Sequence, residues 1–179
     1  MSHLRAVYLT GEQVYIRALT KEDAKVAVAW FKSPFPINEA VAEEQLKELH
    51  GENQWIGSKR DYAIVRRADD QLIGGVTVKS WRGLQAELGF HTAPWLSADE
   101  ADALRAEALA LLVPWLRDER EAMAVQASIA ADQPATLAAA ESVGMKQTAR
   151  LRRFIARPGT RVDLFLCEAL NPHWEARNA

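Results

Sequence analysis

Glu87 and His91 stand four residues apart in the run Ala86-Glu-Leu-Gly-Phe-His-Thr92. If that run is a strand, its period of two puts both side chains on one face. There an imidazole, which titrates near neutrality, could assist a proton transfer. A few residues on, Ser97-Ala-Asp-Glu has the spacing of a capping box, in which Ser97 accepts from the amide of Glu100 and Glu100 reaches back to Ser97. With Asp99, Glu100 and Asp102 the helix that follows has an acidic start, and Arg105 is the only nearby cation. Such carboxylates stabilise a helix by typically about 0.3–1 kcal/mol each, and they repel an incoming anion. The single cysteine, Cys167, excludes an intramolecular disulfide and a cysteine-built zinc site. His3, His50, His91 and His173 are scattered without metal-ligand spacing.

Composition narrows the classes of function. The chain has 179 residues and a formal charge of -2, with 49% hydrophobic and 26% charged residues, a mass of 19.9 kDa and a mean hydropathy of -0.20. These values suit one globular domain able to bury a core. The near-neutral balance argues against nucleic acid as a partner. No apolar run approaches the roughly 18 residues of a membrane span, and residues 1–11 hold no long apolar stretch after a basic start, so no secretory leader is expected. A cytoplasmic protein is expected.

Those residues need elements to hold them. Residues 14–19 alternate and predict a strand, and Thr20 with Asp23 starts a helix to about Phe31. Asn38 caps a second helix to about Leu49, with Gly51 beyond its end. Three runs, 62–67, 71–81 and 86–92, predict an antiparallel meander. A long helix over 98–117, a strand over 124–129, a helix over 134–143 stopped by Gly144, and strands over 147–155 and 162–169 complete the order βααβββαβαββ. The central β-α-β alternation needs a parallel pair while the meander and the final hairpin need antiparallel ones, so the sheet is mixed.

Several strings then stand out together: Leu9-Thr-Gly-Glu-Gln-Val-Tyr-Ile-Arg-Ala-Leu-Thr-Lys-Glu-Asp, Leu72-Ile-Gly-Gly, Ala86-Glu-Leu-Gly-Phe, Gln133-Pro-Ala-Thr followed by Glu141-Ser-Val-Gly-Met, and Leu151-Arg-Arg-Phe with Gly159 and Asp163. In order and spacing, across nearly the whole chain, they resemble the GNAT superfamily of acyl-CoA-dependent N-acyltransferases. Within it they are most similar to the branch of the ribosomal-protein N-terminal acetyltransferases.

The resemblance implies an α/β domain whose twisted mixed sheet splays between its fourth and fifth predicted strands, 86–92 and 124–129, with helices on both faces. The pantetheine arm of acetyl-CoA would enter that splay and bond the backbone of Phe90, His91 and Thr92 as an added strand does. Its diphosphate would lie at the helix start, at Ser97 and Ala98, with Arg105 near. Gln133 takes the place of an asparagine that contacts the cofactor, and Thr136 that of a serine able to protonate the leaving thiolate or bond the pantetheine. Glu87 is the implied base, acting through water, with His91 assisting. Trp55 and Trp95 fall in loops that border the acceptor site, whereas Trp30 and Trp115 fit apolar helix faces and are expected in the core. The implied acceptor is a small-molecule or peptide N-terminal amine, and a homodimer through the sheet edges is expected. Arg150, Arg152, Arg153, Arg157 and Arg161 on the last hairpin could recognise an acidic acceptor, pair with a second subunit, or form a solvated face. Plain structural roles compete elsewhere too: a cross-strand pair for Glu87, a helix cap for Gln133, early-helix polarity for Thr136, and packing under loops for the tryptophans.

The sequence departs from the family at one place. The family's diphosphate loop is patterned Gln/Arg-x-x-Gly-x-Gly/Ala, whereas residues 95–105 contain no glycine. Two functions therefore stand: an N-acyltransferase that moves an acyl group from acetyl-CoA to a primary amine by direct attack, and a GNAT-fold pseudoenzyme with a degenerate loop that serves as a ligand-binding or structural module.

Overall fold

In the computed structural model, which describes residues 7–31, 33, 37–49, 58–81 and 84–177, the alternating runs form one eight-stranded sheet. Its strands are β1 (Val7–Thr10), β2 (Val14–Ala18), β3 (Ser58–Arg66), β4 (Gln71–Trp81), β5 (Gln85–Thr92), β6 (Ala124–Ala130), β7 (Lys146–Arg157) and β8 (Thr160–Leu170). They are arranged β1-β2-β3-β4-β5-β6-β8-β7. Only β5 and β6 pair in parallel; every other neighbouring pair is antiparallel. The helices are α1 (Glu39–Leu49), α2 (Ala98–Pro114), α3 (Pro134–Ser142) and α4 (Pro172–Arg177), with a 3-10 segment at Lys21–Ala29.

Each strand serves two layers because successive side chains point to opposite faces. On one face Ile16, Ile64, Val76, Leu88 and Val125 bury against Leu104, Ala108, Leu109 and Leu112 of α2. On the other, Ala63, Val65 and Leu72 bury against Ala24, Ala27 and Trp30 of the 3-10 segment and Ala42 and Leu46 of α1. The mixed sheet with helices on both faces is the fold the sequence predicts. No helix among the described residues is long and apolar enough to cross a membrane.

Two expected helices differ in detail. The one after Thr20 is 3-10, with Val26 at φ -120°, ψ 32°. Asp23 there makes the predicted capping box with Thr20 and also takes a bidentate pair from buried Arg17 at 2.7 and 2.8 Å. The Asp23 carbonyl accepts from the indole of Trp30 at 2.8 Å instead of extending an α-helical ladder. The long helix leaves α geometry at Pro114, which has no N–H for the ladder, and continues as a π turn, Trp115–Glu119. Asn38 caps α1 as expected, its Oδ1 accepting from the Val41 amide at 2.9 Å. β1 and α4 are additional to the predicted elements, and Gly51 lies outside the described residues.

The parallel pair is short. Its register runs from Gln85 opposite Ala124 to Leu88 opposite Ala127 and stops. Past that point β5 continues on β4, with Thr92 opposite Gly74, while β6 continues on β8, with Ala130 opposite Leu164. The sheet therefore opens into a wedge, and the helices following the two strands bridge it. Asp102 of α2, its side chain 8% exposed, accepts from the α3 amides of Ala135 and Thr136 at 2.8 and 3.1 Å and from the Thr136 hydroxyl at 2.5 Å. An anion at a helix N-terminus satisfies donors that have no intrahelical acceptor.

Replacing Asp102 by Ala leaves those donors buried and unmet, so chemical denaturation should report a loss of about 3 kcal/mol; Asp102→Asn, which keeps one acceptor, should lose less. Acid adds a second check. Burial pushes the Asp23 carboxyl up, but the hydrogen bonds from Arg17 and Thr20 outweigh it and hold it below the ordinary value. A lowered folded-state pKa contributes stability that is complete above the unfolded value of about 3.9 and is lost as pH falls through the folded value. The wild type should therefore lose stability on acidification below about pH 4 more steeply than Asp23→Asn.

Candidate functional site

The wedge exposes backbone. Ala93 donates to the Ile73 carbonyl at 2.8 Å, and the alternation of an antiparallel ladder then turns the N–H and C=O groups of Phe90 and Thr92 away from β4, into the wedge. The amide of His91 faces β4 by the same rule, so of the expected backbone contacts Phe90 and Thr92 line the opening. On the opposite wall Ala130 donates to Oε1 of Gln133 at 3.1 Å, which lays the Gln133 side chain along the β6 edge. Gln133 occupies the N-cap position of α3 but makes no cap bond itself; Asp102 does that instead.

The start of α2 closes the mouth of the wedge. Ser97 Oγ accepts from the Glu100 amide at 3.2 Å, which is half of the predicted capping box. The other half is replaced: the Glu100 carboxylate turns to Arg66 of β3 at 2.6 Å. Asp102 is likewise spent on α3, so of the three acids in this segment only Asp99 stands exposed with no cation against it among the described residues. Ala98 and Asp99 are the first residues of α2, and amides at those positions have no intrahelical acceptor. Arg105, 14% exposed, reaches from the second turn to Thr92 Oγ1 at 3.3 Å and lies 3.9 Å from Asp102. Burial lowers its pKa and Asp102 opposes that shift.

Glu87 and His91 do share one face of β5, on the side of the 3-10 segment, and Gly89 lies between them. Four residues of strand span roughly 13 Å, so the two side chains flank a site and cannot pass a proton directly. His91 Nε2 lies 3.0 Å from the Val28 carbonyl. A neutral ring that donates there presents Nδ1 as its acceptor. Glu87 is exposed, 3.8 Å from Lys79, and in register with Gln126 across the parallel pair. A cavity of about 340 Å³ opens on this face, lined by Trp30, Phe31, Asp61, Thr77, Gly89 and His91 among others. A Cβ on Gly89 would meet nothing nearer than Thr77 Cβ at 3.9 Å, so the missing side chain leaves the floor open. Gly75 has the opposite reason: a Cβ there would sit 2.7 Å from the Trp30 carbonyl. That glycine lets the 3-10 segment lie close enough to form the cavity wall.

Other expected residues sit elsewhere. Thr136 is fully buried and its hydroxyl is engaged by Asp102, so it has neither the access nor the free hydrogen to protonate a thiolate in the wedge. Trp95 is 48% exposed, in the turn between β5 and α2 at the mouth, and is not among the residues lining the cavity beside Gly89 and His91; Trp55 lies outside the described residues. Trp30 is buried as expected, and Trp115 is half-buried, packed against the core and also lining a second cavity. Most of the hairpin arginines are engaged locally: Arg150 with Asp163, Arg157 with Asp132 at 2.6 Å, and Arg161 with the carbonyls of Arg153 and Phe154. Arg66 was not anticipated, because no local spacing joins a β3 arginine to a helix residue 34 positions later. Asp102 carried a readable signal, an acid next to Ala101 and Leu104 on the buried stripe of an apolar helix.

The comparisons agree with this architecture. A crystal structure from Sphaerobacter thermophilus DSM 20745, of a protein assigned as an acetyltransferase, is 47% identical, with a TM-score of 0.75 over 95% of this chain and 99% of that one. At 13% identity, the ribosomal-protein-S5-alanine acetyltransferase of Vibrio fischeri shares the fold, with a TM-score of 0.64 over 94% of this chain and 98% of that one. So does the spermidine/spermine N-acetyltransferase SpeG of Vibrio cholerae, 19% identical, with a TM-score of 0.62 over 93% and 98%. No curated protein matches the chain. Nothing in these likenesses supports a fold that has lost its activity. The family profile of the GNAT acetyltransferase domain matches residues 13–146, and with the wedge between β5 and β6 this makes the chain a member of the GNAT acetyltransferase family.

Proposed function

We propose that the protein is an N-acetyltransferase that binds acetyl-CoA in the β5–β6 wedge and acetylates a primary amine held in the cavity beside Gly89 and His91. The observation that carries this reading is the end of the parallel pairing at Leu88 and Ala127, which leaves the Phe90 and Thr92 backbone edge unpaired where an extended pantetheine adds as a strand does. Acetyl-CoA supplies a thioester carbon, to which the amine nitrogen bonds as the C–S bond breaks and the thiolate takes up a proton. The chain supplies the rest. Phe90 N–H polarises the thioester carbonyl, Gln133 lines the opposite wall, and the α2 amides of Ala98 and Asp99 with the Arg105 guanidinium receive the diphosphate. Glu87 takes the ammonium proton through water, and His91, steered by the Val28 carbonyl, orients the amine.

Calorimetric titration of acetyl-CoA at low salt, where an attraction between charges is least screened, should give a micromolar Kd, and no detectable binding overturns the proposal. Arg105→Met should weaken that Kd about tenfold. Glu87→Gln should lower kcat/KM by at least about a hundredfold with the acetyl-CoA Kd unchanged. Gly89→Leu should fold, since the position has open space, and bind acetyl-CoA normally, yet lose turnover with every amine of a panel that includes spermidine and an alanine-terminated peptide. Wild-type turnover by Gly89→Leu would move the acceptor elsewhere.

A further inference from the structure

On the opposite face of β3 from the acceptor cavity, where β2 has ended, lies a separate cavity of about 520 Å³ that the acetyl-transfer reading leaves unused. Three rings line it. Tyr62 meets Tyr8 edge to face at 5.7 Å between centroids and Trp115 edge to face at 6.4 Å. Its floor is Ala18 and Leu19.

Two cations complete the lining, Arg60 of β3 and Arg120 just past the π turn. The turn is what brings Arg120 there. Arg120 N–H donates to the Trp115 carbonyl at 3.0 Å, closing a loop of i to i+5, and the guanidinium carbon then lies 5.7 Å from the Trp115 ring centre. Turns of this kind are rare and collect at functional sites. Six other arginines, Arg17, Arg66, Arg105, Arg117, Arg150 and Arg157, lie beside carboxylates. Among the described residues neither Arg60 nor Arg120 has an ion-pair partner. Both lie near enough to the Tyr62 hydroxyl to oppose the upward push of burial on its pKa. The one acid in the lining, Asp61, is occupied from the other side of the strand by Lys59 at 3.2 Å and the Thr77 hydroxyl.

We propose that this cavity is a second binding site, for a planar aromatic ring bearing a carboxylate. The ring packs against Tyr8, Tyr62 and Trp115, and the carboxylate lies between the Arg60 and Arg120 guanidinium groups, whose planar donors match it. The volume is within the range of small-molecule pockets and takes a two-ring ligand. The site stands apart from the wedge: Tyr62 is separated from Phe90 by Val76 of β4 in the register of the sheet.

The test is calorimetric titration of 2-naphthoate into the full chain, alone and saturated with CoA, with 2-naphthylmethanol as the neutral counterpart. The expected result is one site for the naphthoate at a submillimolar Kd, with binding of the alcohol at least about tenfold weaker. CoA should leave the naphthoate affinity unchanged. Arg60→Met and Arg120→Met, both at exposed positions, should each weaken the naphthoate about fivefold or more while leaving CoA binding and the melting temperature as in the wild type. Tyr8→Ala should weaken both ligands together. No heat at about 1 mM probe, equal binding of acid and alcohol, displacement by CoA, or a double arginine variant that binds as the wild type does would each overturn the proposal.

Discussion

A sheet that stops pairing in its middle needs something else to hold its halves at a fixed distance, and here that is the carboxylate of Asp102 at the N-terminus of α3. Helix α2 follows β5 and α3 follows β6, so a bond between the two helices fixes the angle at which the two strands part. The bond is strong because it is buried and charge-assisted, two amides and a hydroxyl converging on one carboxylate. It is also specific. A carboxylate has only two oxygens, so the α3 axis can shift little without losing a donor, and the width of the wedge is set by hydrogen-bond geometry and not by apolar packing alone. Thr136, for which the family resemblance implies a part in the reaction, belongs to this clamp.

The face of β5 that carries Gly89 and His91 depends on a second buried pair. Arg17 is 1% exposed, and its bidentate contact with Asp23 fixes the first turn of the 3-10 segment against β2. From there the chain runs to Trp30, whose indole returns to the Asp23 carbonyl and whose own carbonyl presses on Gly75. Between those two points lies Val28, whose carbonyl receives the His91 ring. The orientation of His91 is therefore inherited from an ion pair anchored on another strand, by way of the 3-10 segment and the Trp30 indole that bonds the Asp23 carbonyl. Gly75 is needed for close approach and Gly89 for empty space. Their identical residue type hides opposite physical demands.

Strand alternation and the side chains that cap helix starts are local properties, and so β2 to β8 and α1 to α3 could be read from the chain, whereas the splay was implied by the family resemblance. The capping box at Thr20 and Asp23 and the cap at Asn38 were legible for the same reason. What could not be read are contacts between residues far apart in sequence. Ser97 and Glu100 satisfy the box pattern, but Arg66, brought alongside by the pairing of β3 with β2, competes for the Glu100 carboxylate and takes it, because a charged partner outweighs one backbone N–H. The π turn was hidden as well. Pro114 signals a disturbance of the ladder but not its form, and so nothing in the sequence showed that Trp115, which packs against the core, also lines a cavity. The hairpin arginines looked like a free patch because Asp132, which takes Arg157, lies outside the hairpin, and because the pairing of β7 with β8 that brings Asp163 to Arg150 has a register no local pattern gives.

The same competition bears on whether an acidic helix start can receive a diphosphate. Two unit charges about 4 Å apart interact by roughly 4 kcal/mol at an effective dielectric near 20, so three free carboxylates at this mouth would exclude the anion. They are not equivalent. Glu100 is answered by Arg66 at 2.6 Å, and an ion pair presents only a dipole to a third charge. Asp102 points inward to the positive end of α3, where its field is largely cancelled, and Arg105 stands between it and the wedge. That leaves Asp99, exposed at the first turn and subject to full screening by water and salt. With Arg66 answering Glu100, the charges left to weigh at the mouth are the solvated Asp99 carboxylate against the Arg105 guanidinium and the first amides of α2, so the acidic start carries far less free negative charge than its sequence suggests.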